Sequence, residues 1–185
     1  LQNCSDNPFD SFQSKFGYKP NLFMKPCEDG SSIDIFKISN EEDYKKAKLN
    51  CLNLEREFIF EEEIGGREFT VTIIGNQCYP AIEIKTQNDF YDYDAKYISD
   101  DTILDQAKLS DDELNIINDI ALRSFCALKC SGWARVDIIQ DINGNFNVIE
   151  INTVPGMTSH SCVPKSGSFL GLSYQDVIKE ILSNV

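Results

Sequence analysis

RVDIIQDINGNFNVIEIN, residues 135–152, alternates apolar and polar side chains on both sides of Asn143-Gly144. Alternation with a period of two reads as a half-buried strand. Asn-Gly between two such runs is the strongest short-range signal for a hairpin closed by a two-residue type I′ turn. That turn sets Asp137 directly opposite Glu150 and Arg135 opposite Asn152, with all four side chains on one face of the ribbon. Like charges directly opposite one another repel unless something neutralises them. Two carboxylates with an amide oxygen beside them suit a hard cation, and magnesium, which takes one or two carboxylates plus nucleotide phosphate oxygens, is the natural guest. Arg135 next to it could hold developing negative charge. An ordinary hairpin with both acids on a solvent face accounts for the spacing equally well. On the charge argument, replacing Asp137 or Glu150 by its amide is expected to lower turnover far more than stability.

Around the hairpin, Ser110-Asp111-Asp112-Glu113 forms a capping box ahead of Leu114, Ile117, Ala121, Phe125 and Leu128 at helical spacing, with Gly132 as the expected C-cap. Ser173 is placed to cap a second helix carrying Tyr174, Val177, Ile178, Ile181 and Leu182. Upstream, the β-rich runs 21–25, 33–38, 58–61, 69–74 and 79–84 surround a charged amphipathic helix over 41–53, an α+β alternation with mostly antiparallel strands. Residues 1–20 are polar with two prolines and read as a linker with at most one short helix over 9–16. Residues 88–102, NDFYDYDAKYISDDT, set three tyrosines among acids without a clean period. They read as a long surface loop, of a length that is often functional, and are expected to be mobile without nucleotide.

Lysine and arginine number 17 against 30 aspartates and glutamates in 185 residues, a net charge of −13. Basic patches of the kind that neutralise a phosphate backbone are absent from the sequence, so nucleic acid is not an expected partner. Any phosphate must be bound by backbone amides, a few placed cations and metal ions. The 7 cysteines form no CxxC pair and their odd number argues against a disulfide framework, as in a reduced cytoplasm. No apolar run approaches the roughly 18–20 residues of a membrane span, so no membrane association is expected.

KPCEDGSS, residues 25–32, lacks the GxxxxGK[ST] spacing of a P-loop. A Gly30-Ser31-Ser32 turn can still offer amides and hydroxyls to phosphate oxygens, with Lys25 as a point charge. EEEIGGRE, residues 61–68, reads as a hinge between strands that can present backbone groups to adenine and Glu68 to ribose hydroxyls. A plain hairpin loop and a glycine-rich turn with solvated acids, respectively, explain each segment better when it is taken in isolation.

Together, FMKPCEDGSS (23–32), FEEEIGGREFTV (60–71), FYDYDAKYISDDT (90–102), GWARVD (132–137) and EINTVPGMTSHSCVP (150–164) resemble the D-alanine–D-alanine ligase family of the ATP-grasp fold, from about Phe16 onward. The resemblance implies an α+β fold of two small lobes, mainly antiparallel sheet with packed helices, enclosing a nucleotide cleft. Residues 21–62 would be the smaller lobe with the phosphate loop. Residues 63–185 would be the larger, with the lid at 88–102 and the metal-site hairpin at 135–152. Residues 1–20 would lead from an N-terminal lobe that has no counterpart in this sequence.

By the same resemblance, Lys25, Lys96, Ser31 and Ser32 look like contacts to the phosphates of ATP, and Glu61, Ile64 and Glu68 like the adenine–ribose site. Asp137, Glu150 and Asn152 look like ligands for magnesium, two ions, with manganese as an alternative. Arg135 and the Gly156 amide would stabilise the oxyanion of the tetrahedral intermediate. Ser161 and Cys162 would hold the carboxylate of the second D-alanine, and Tyr97 with Ser31 would sit where the lid closes over the substrates. The implied chemistry phosphorylates the carboxylate of one D-alanine and lets the amine of a second attack the acyl-phosphate, for peptidoglycan precursor synthesis. Lys96-Tyr97 points to an amine as the second substrate, and the complete enzyme is expected to be a homodimer. Glu62 stands where many relatives have lysine, Asp34 where they have glycine, and Cys162 where leucine is more usual. Without the N-terminal lobe, the short chain is expected to bind Mg-ATP weakly, if at all, and to form no dipeptide. A different class of protein, a non-catalytic nucleotide-binding or structural module that keeps the ATP-grasp fold, remains the alternative.

Overall fold

A computed structural model describes residues 7–28, 34–51, 56–85 and 102–185. The chain divides into two compact units that meet in sequence between Ile64 and Gly65. The first is built on a three-stranded antiparallel sheet. In it β1 (Leu22–Pro26) lies between β2 (Phe36–Ile38) and β3 (Phe58–Glu62). Alternation along β1 sends Leu22 and Met24 to one face, where they pack with Ile38, with Tyr44 and Ala47 of α2 (Glu41–Asn50), and with Cys51. Phe9 joins the same core from α1 (Pro8–Phe16), so the stretch read as a linker lends a core side chain. That helix starts where Asn7 accepts from the Phe9 amide and stops at Gly17, whose φ of 85° is a left-handed C-cap. Phe23, Lys25, Ile59 and Glu61 occupy the opposite face of the sheet.

The second unit has six antiparallel strands. β4 (Gly66–Ile74) and β8 (Trp133–Asp141) are central, β6 (Ile82–Lys85) and β7 (Ile103–Gln106) lie to one side, β9 (Phe146–Asn152) to the other, and the short β5 (Gln77–Cys78) pairs with β4. One face, carrying Phe69, Val71, Ile73, Ala134, Val136 and Ile138, packs on Ile117, Ala121 and Phe125 of α3 (Asp111–Ala127). Each such Phe, Val or Ile side chain, fully buried, contributes about 1.5–3 kcal/mol. The other face is covered at one end only. There Ile74 and Tyr79 pack with Val163 of α4 (Cys162–Ser168) and with Val177 and Ile181 of α5 (Tyr174–Ser183). A side chain at Gly167 would collide with Val177, so this glycine lets α5 approach α4 closely. Beyond the covered end, the face carries Thr72, Thr70 and Glu68 across from Arg135, Asp137 and Ile139.

Two sequence expectations need correction. The capping box at Ser110 is present, but α3 ends at Ala127 rather than running to Gly132. Lys129 takes a left-handed φ of 54° and Cys130 N donates back to Phe125 O, which reverses the chain and leaves Leu128 65% exposed. The hairpin turn is not type I′. Asp141 Oδ1 accepts from the amides of Asn143 and Asn145, Gly144 N donates to Asp141 O, and Gly144 at φ 86° closes a three-residue loop. This loop shifts the register by one, giving Ile138↔Val148, and a bulge between Asp137 and Ile138 in the pairing restores Asp137↔Glu150 and Arg135↔Asn152. Helix α4 carries no helical signal in the sequence, since it is short and contains proline, glycine and two serines.

Candidate functional site

Asp137 is the centre of this polar face. Pairing with β4 places it opposite Thr70, whose hydroxyl donates to Asp137 Oδ1 at 2.7 Å, both residues being buried. From the same strand, Arg135 forks onto the carboxylate, Nε donating to Oδ1 at 2.9 Å and Nη2 to Oδ2 at 2.8 Å. The pair is well withdrawn from water, with side-chain exposures of 13% for Arg135 and 7% for Asp137. A two-pronged, charge-assisted contact of this kind is among the stronger polar contacts a protein makes. Arg135 thus compensates the charge of Asp137 from within its own strand, beside any repulsion from Glu150 across the hairpin.

Two positions beyond Thr70, Thr72 sits opposite Arg135 with its Oγ1 buried and, among the described residues, without a hydrogen-bond partner. An unsatisfied buried hydroxyl of this sort costs about 1–3 kcal/mol. Sequence reading passed over both threonines, since threonine is an ordinary strand former. The available signal was their spacing: Thr70 and Thr72 put two polar groups on one face of the otherwise apolar FTVTII.

Glu150 and Asn152 stand opposite Asp137 and Arg135 as expected, and Asn152 Oδ1 accepts from Val154 N, which starts the turn out of β9. That turn leads to Gly156 and to the start of α4. Ser161 Oγ accepts from Thr158 N at 3.0 Å and lies 2.9 Å from Thr158 Oγ1. Ser161 Oγ is also about 3.2 Å from where a side chain on Gly156 would begin, so Gly156 and Ser161 are brought together. Cys162, the first residue of α4, is buried, and burial pushes its thiol up to about 11; Arg135 pulls it down, while Asp137 and Glu68 push it further up. A thiol in that state is protonated at neutral pH and is no nucleophile. Arg135, Asp137, Glu150, Asn152, Gly156, Ser161, Cys162 and Glu68 all belong to the second unit.

In the first unit, Lys25 and Glu61 are in contact, Nζ to Oε2 at 2.6 Å, with Lys25 the less exposed partner. A second pair, Lys37 to Glu63 at 2.6 Å, lies on the same sheet. Ile64 ends this unit. Glu62 accepts from the hydroxyl of Tyr18, and Asp34, at a left-handed φ of 56°, pairs with Arg56 at 2.8 Å. A glycine would enter that conformation freely, and aspartate is one of the few other residues that tolerates it. Ser31, Ser32, Lys96, Tyr97 and the lid segment up to residue 101 lie outside the described residues.

The donor set is hard: two carboxylates and an amide oxygen. Among the described residues no group of three or more histidine, cysteine, aspartate or glutamate side chains forms a metal site. Two carboxylates and an amide oxygen are donors that suit magnesium or manganese, which complete their shells with water and phosphate, better than zinc. Residues 2–183 match the family described as D-ala D-ala ligase C-terminus. The chain belongs to that family. It is 40% identical over 162 residues, 87% of its length, to the D-alanine–D-alanine ligase of Mannheimia succiniciproducens, of which it covers 53%. The chain thus spans about half the length of this curated relative. Among solved structures it resembles the Bacillus anthracis D-alanine–D-alanine ligase complexed with ATP, with a TM-score of 0.79 and 28% identity over 99% of this chain and 57% of that one. It also resembles the VanG D-Ala:D-Ser ligase of Enterococcus faecalis, with a TM-score of 0.78 and 30% identity over 94% of this chain and 51% of the other. These likenesses bear out the ATP-grasp α+β class read from the sequence. Among the described residues no helix is long and apolar enough to cross a membrane.

Proposed function

We propose that the chain is the nucleotide-binding part of an ATP-dependent D-alanine–D-alanine ligase acting in the cytoplasm on peptidoglycan precursors. The observation that carries this reading is the grouping of Arg135, Asp137, Glu150 and Asn152 on one polar sheet face in a member of this family. Residues 21–62 act as the smaller lobe and 63–185 as the larger. Asp137, Glu150 and Asn152 would hold the divalent cation, one or two ions, which when bound neutralises the phosphate oxygens of ATP. Lys25, with Ser31, Ser32 and Lys96, binds the phosphates, and Glu61, Ile64 and Glu68 take the adenosine. For Lys25 this means leaving Glu61, so that the nucleotide replaces an ion pair already present.

Arg135 stabilises the negative charge that develops as a D-alanine carboxylate takes the γ-phosphoryl group and as the second amine attacks the acyl-phosphate. The Gly156 amide serves the same oxyanion. Ser161 and the start of α4 hold the second D-alanine's carboxylate, and Cys162 contributes bulk and not thiol chemistry. Ser31, Tyr97 and the 88–102 lid exclude water, which would otherwise hydrolyse the acyl-phosphate. The complete enzyme works as a homodimer. The likeness to a D-Ala:D-Ser ligase makes the acceptor the finer question, and Lys96-Tyr97 favours D-alanine.

Two measurements test this. Calorimetry of the 185-residue chain should detect Mg-ATP, and Asp137→Asn should abolish the heat. A chimaera in which the chain replaces the matching part of the Mannheimia ligase should release phosphate from ATP in a D-alanine-dependent way. The absence of both nucleotide binding and phosphate release would overturn the proposal, and phosphate release driven better by D-serine would change the acceptor.

A further inference from the structure

The carboxylate of Asp137 offers roughly four lone-pair sites, and three are taken. Among the described residues, Oδ1 accepts from Thr70 Oγ1 and Arg135 Nε, whereas Oδ2 accepts from Arg135 Nη2 alone. The two donors differ in kind. Thr70 is neutral, 1% exposed and fixed by the strand pairing, so nothing in the arrival of a cation requires it to move. Arg135 carries a full charge and would stand against any divalent cation on the same carboxylate. A second seat for it is at hand, because the buried, unpaired hydroxyl of Thr72 lies directly across the sheet from Arg135 and can accept from a guanidinium.

We infer that Thr70 is a positioning residue for the cation site: it pins Oδ1 of Asp137, presents Oδ2 to a divalent cation, and leaves Arg135 as the resident counter-charge that the cation displaces. The inference rests on the ligase reading of Asp137 as a metal ligand and adds two residues' roles to it. Thr70 acts through Asp137 and touches no substrate.

The test is a manganese titration, followed by electron paramagnetic resonance, of the nucleotide-free 185-residue chain, with thermal melts of every variant. Thr70→Val should weaken manganese binding roughly 10-fold or more, the loss usual when a hydrogen bond that orients a metal ligand is removed. Thr70→Ser, which keeps the hydroxyl, should bind close to wild type whatever its melting temperature. Arg135→Met should bind manganese more tightly than wild type, because the competing charge is gone. Wild-type affinity in Thr70→Val, or equal weakening in Thr70→Ser, overturns the positioning role. Unchanged or weaker binding in Arg135→Met overturns the displacement. If Thr70→Val does not fold, Thr70→Ala carries the same comparison. Manganese that binds wild type and Asp137→Asn alike, or binds neither wild type nor Arg135→Met, overturns instead the metal reading beneath the inference.

Discussion

Strands β4 and β8 carry buried side chains on both of their faces, yet the two faces are held by different physics. On one, Phe69, Val71, Val136 and Ile138 meet α3 and are stabilised by removal of apolar surface from water. On the other, Thr70, Thr72 and Asp137 are just as buried, but each polar atom needs its own partner. Thr70, Arg135 and Asp137 supply one another and Thr72 is left over. The apolar face tolerates any well-packed replacement. The polar face is specific to these side chains, and a change of one strands the next. Period-two alternation tells which residues share a face, and it does not tell whether the polar face is wet.

The largest effect is expected on the apolar face. Phe69→Ala removes a fully buried ring that also packs edge-on against Phe146, and should cost about 3–5 kcal/mol in urea denaturation. Manganese affinity of the folded fraction should be unaltered. A loss of cation binding in that fraction would break the division between the faces. On the polar face, Asp137→Asn should cost about 1–3 kcal/mol without any metal, because the Arg135 guanidinium loses its charged acceptor. A cation-free melt unchanged or raised would restore the view that Glu150 repulsion dominates. Thr72→Val should go the other way and raise stability by about 1 kcal/mol, since it replaces an unpaired buried hydroxyl with a methyl of similar size. A lower melting temperature would mean that the hydroxyl has a partner in solution.

Much of this arrangement was legible in the sequence, for local reasons. The hairpin, the Ser110 capping box and the grouping of Arg135, Asp137, Glu150 and Asn152 each depend on residues close in the chain. The register at Asp137 came out as expected although the turn did not, because the three-residue loop and the bulge offset one another. The Asx contacts of Asp141 override the Asn-Gly preference, and they need only residues two and four further on. What sequence could not show was non-local. Thr70 meets Asp137 through pairing of strands 67 residues apart, and Lys25 meets Glu61 through β1–β3 pairing. Helix α4 is defined by what it packs against, Val177 above all, and not by its own composition.

The smallest expected effect sits at the edge of the apolar face, where Glu83 is paired across the sheet with Phe69. Arg67 donates from Nε to Glu83 Oε1 at 2.8 Å and lies over the Phe69 ring, 4.8 Å from its centroid. This hydrogen bond holds the Glu83 carboxyl below its ordinary 4.5, against the opposing pull of burial. A carboxylate whose value is lowered by folding binds fewer protons folded than unfolded in that range. Its contribution is therefore complete above the ordinary glutamate value and is lost as pH falls through the lowered one. Arg67 is 40% exposed in its side chain, so solvent screens the pair and the contribution stays under about 1 kcal/mol. Glu83→Gln should accordingly flatten the acid limb of the stability profile below about 4.5 and leave the cation site untouched. The measurement is urea midpoints of both proteins from neutral pH downward. Parallel profiles would show that the apolar face needs no charge at its edge, whereas a change in manganese affinity would show that the two faces are not independent.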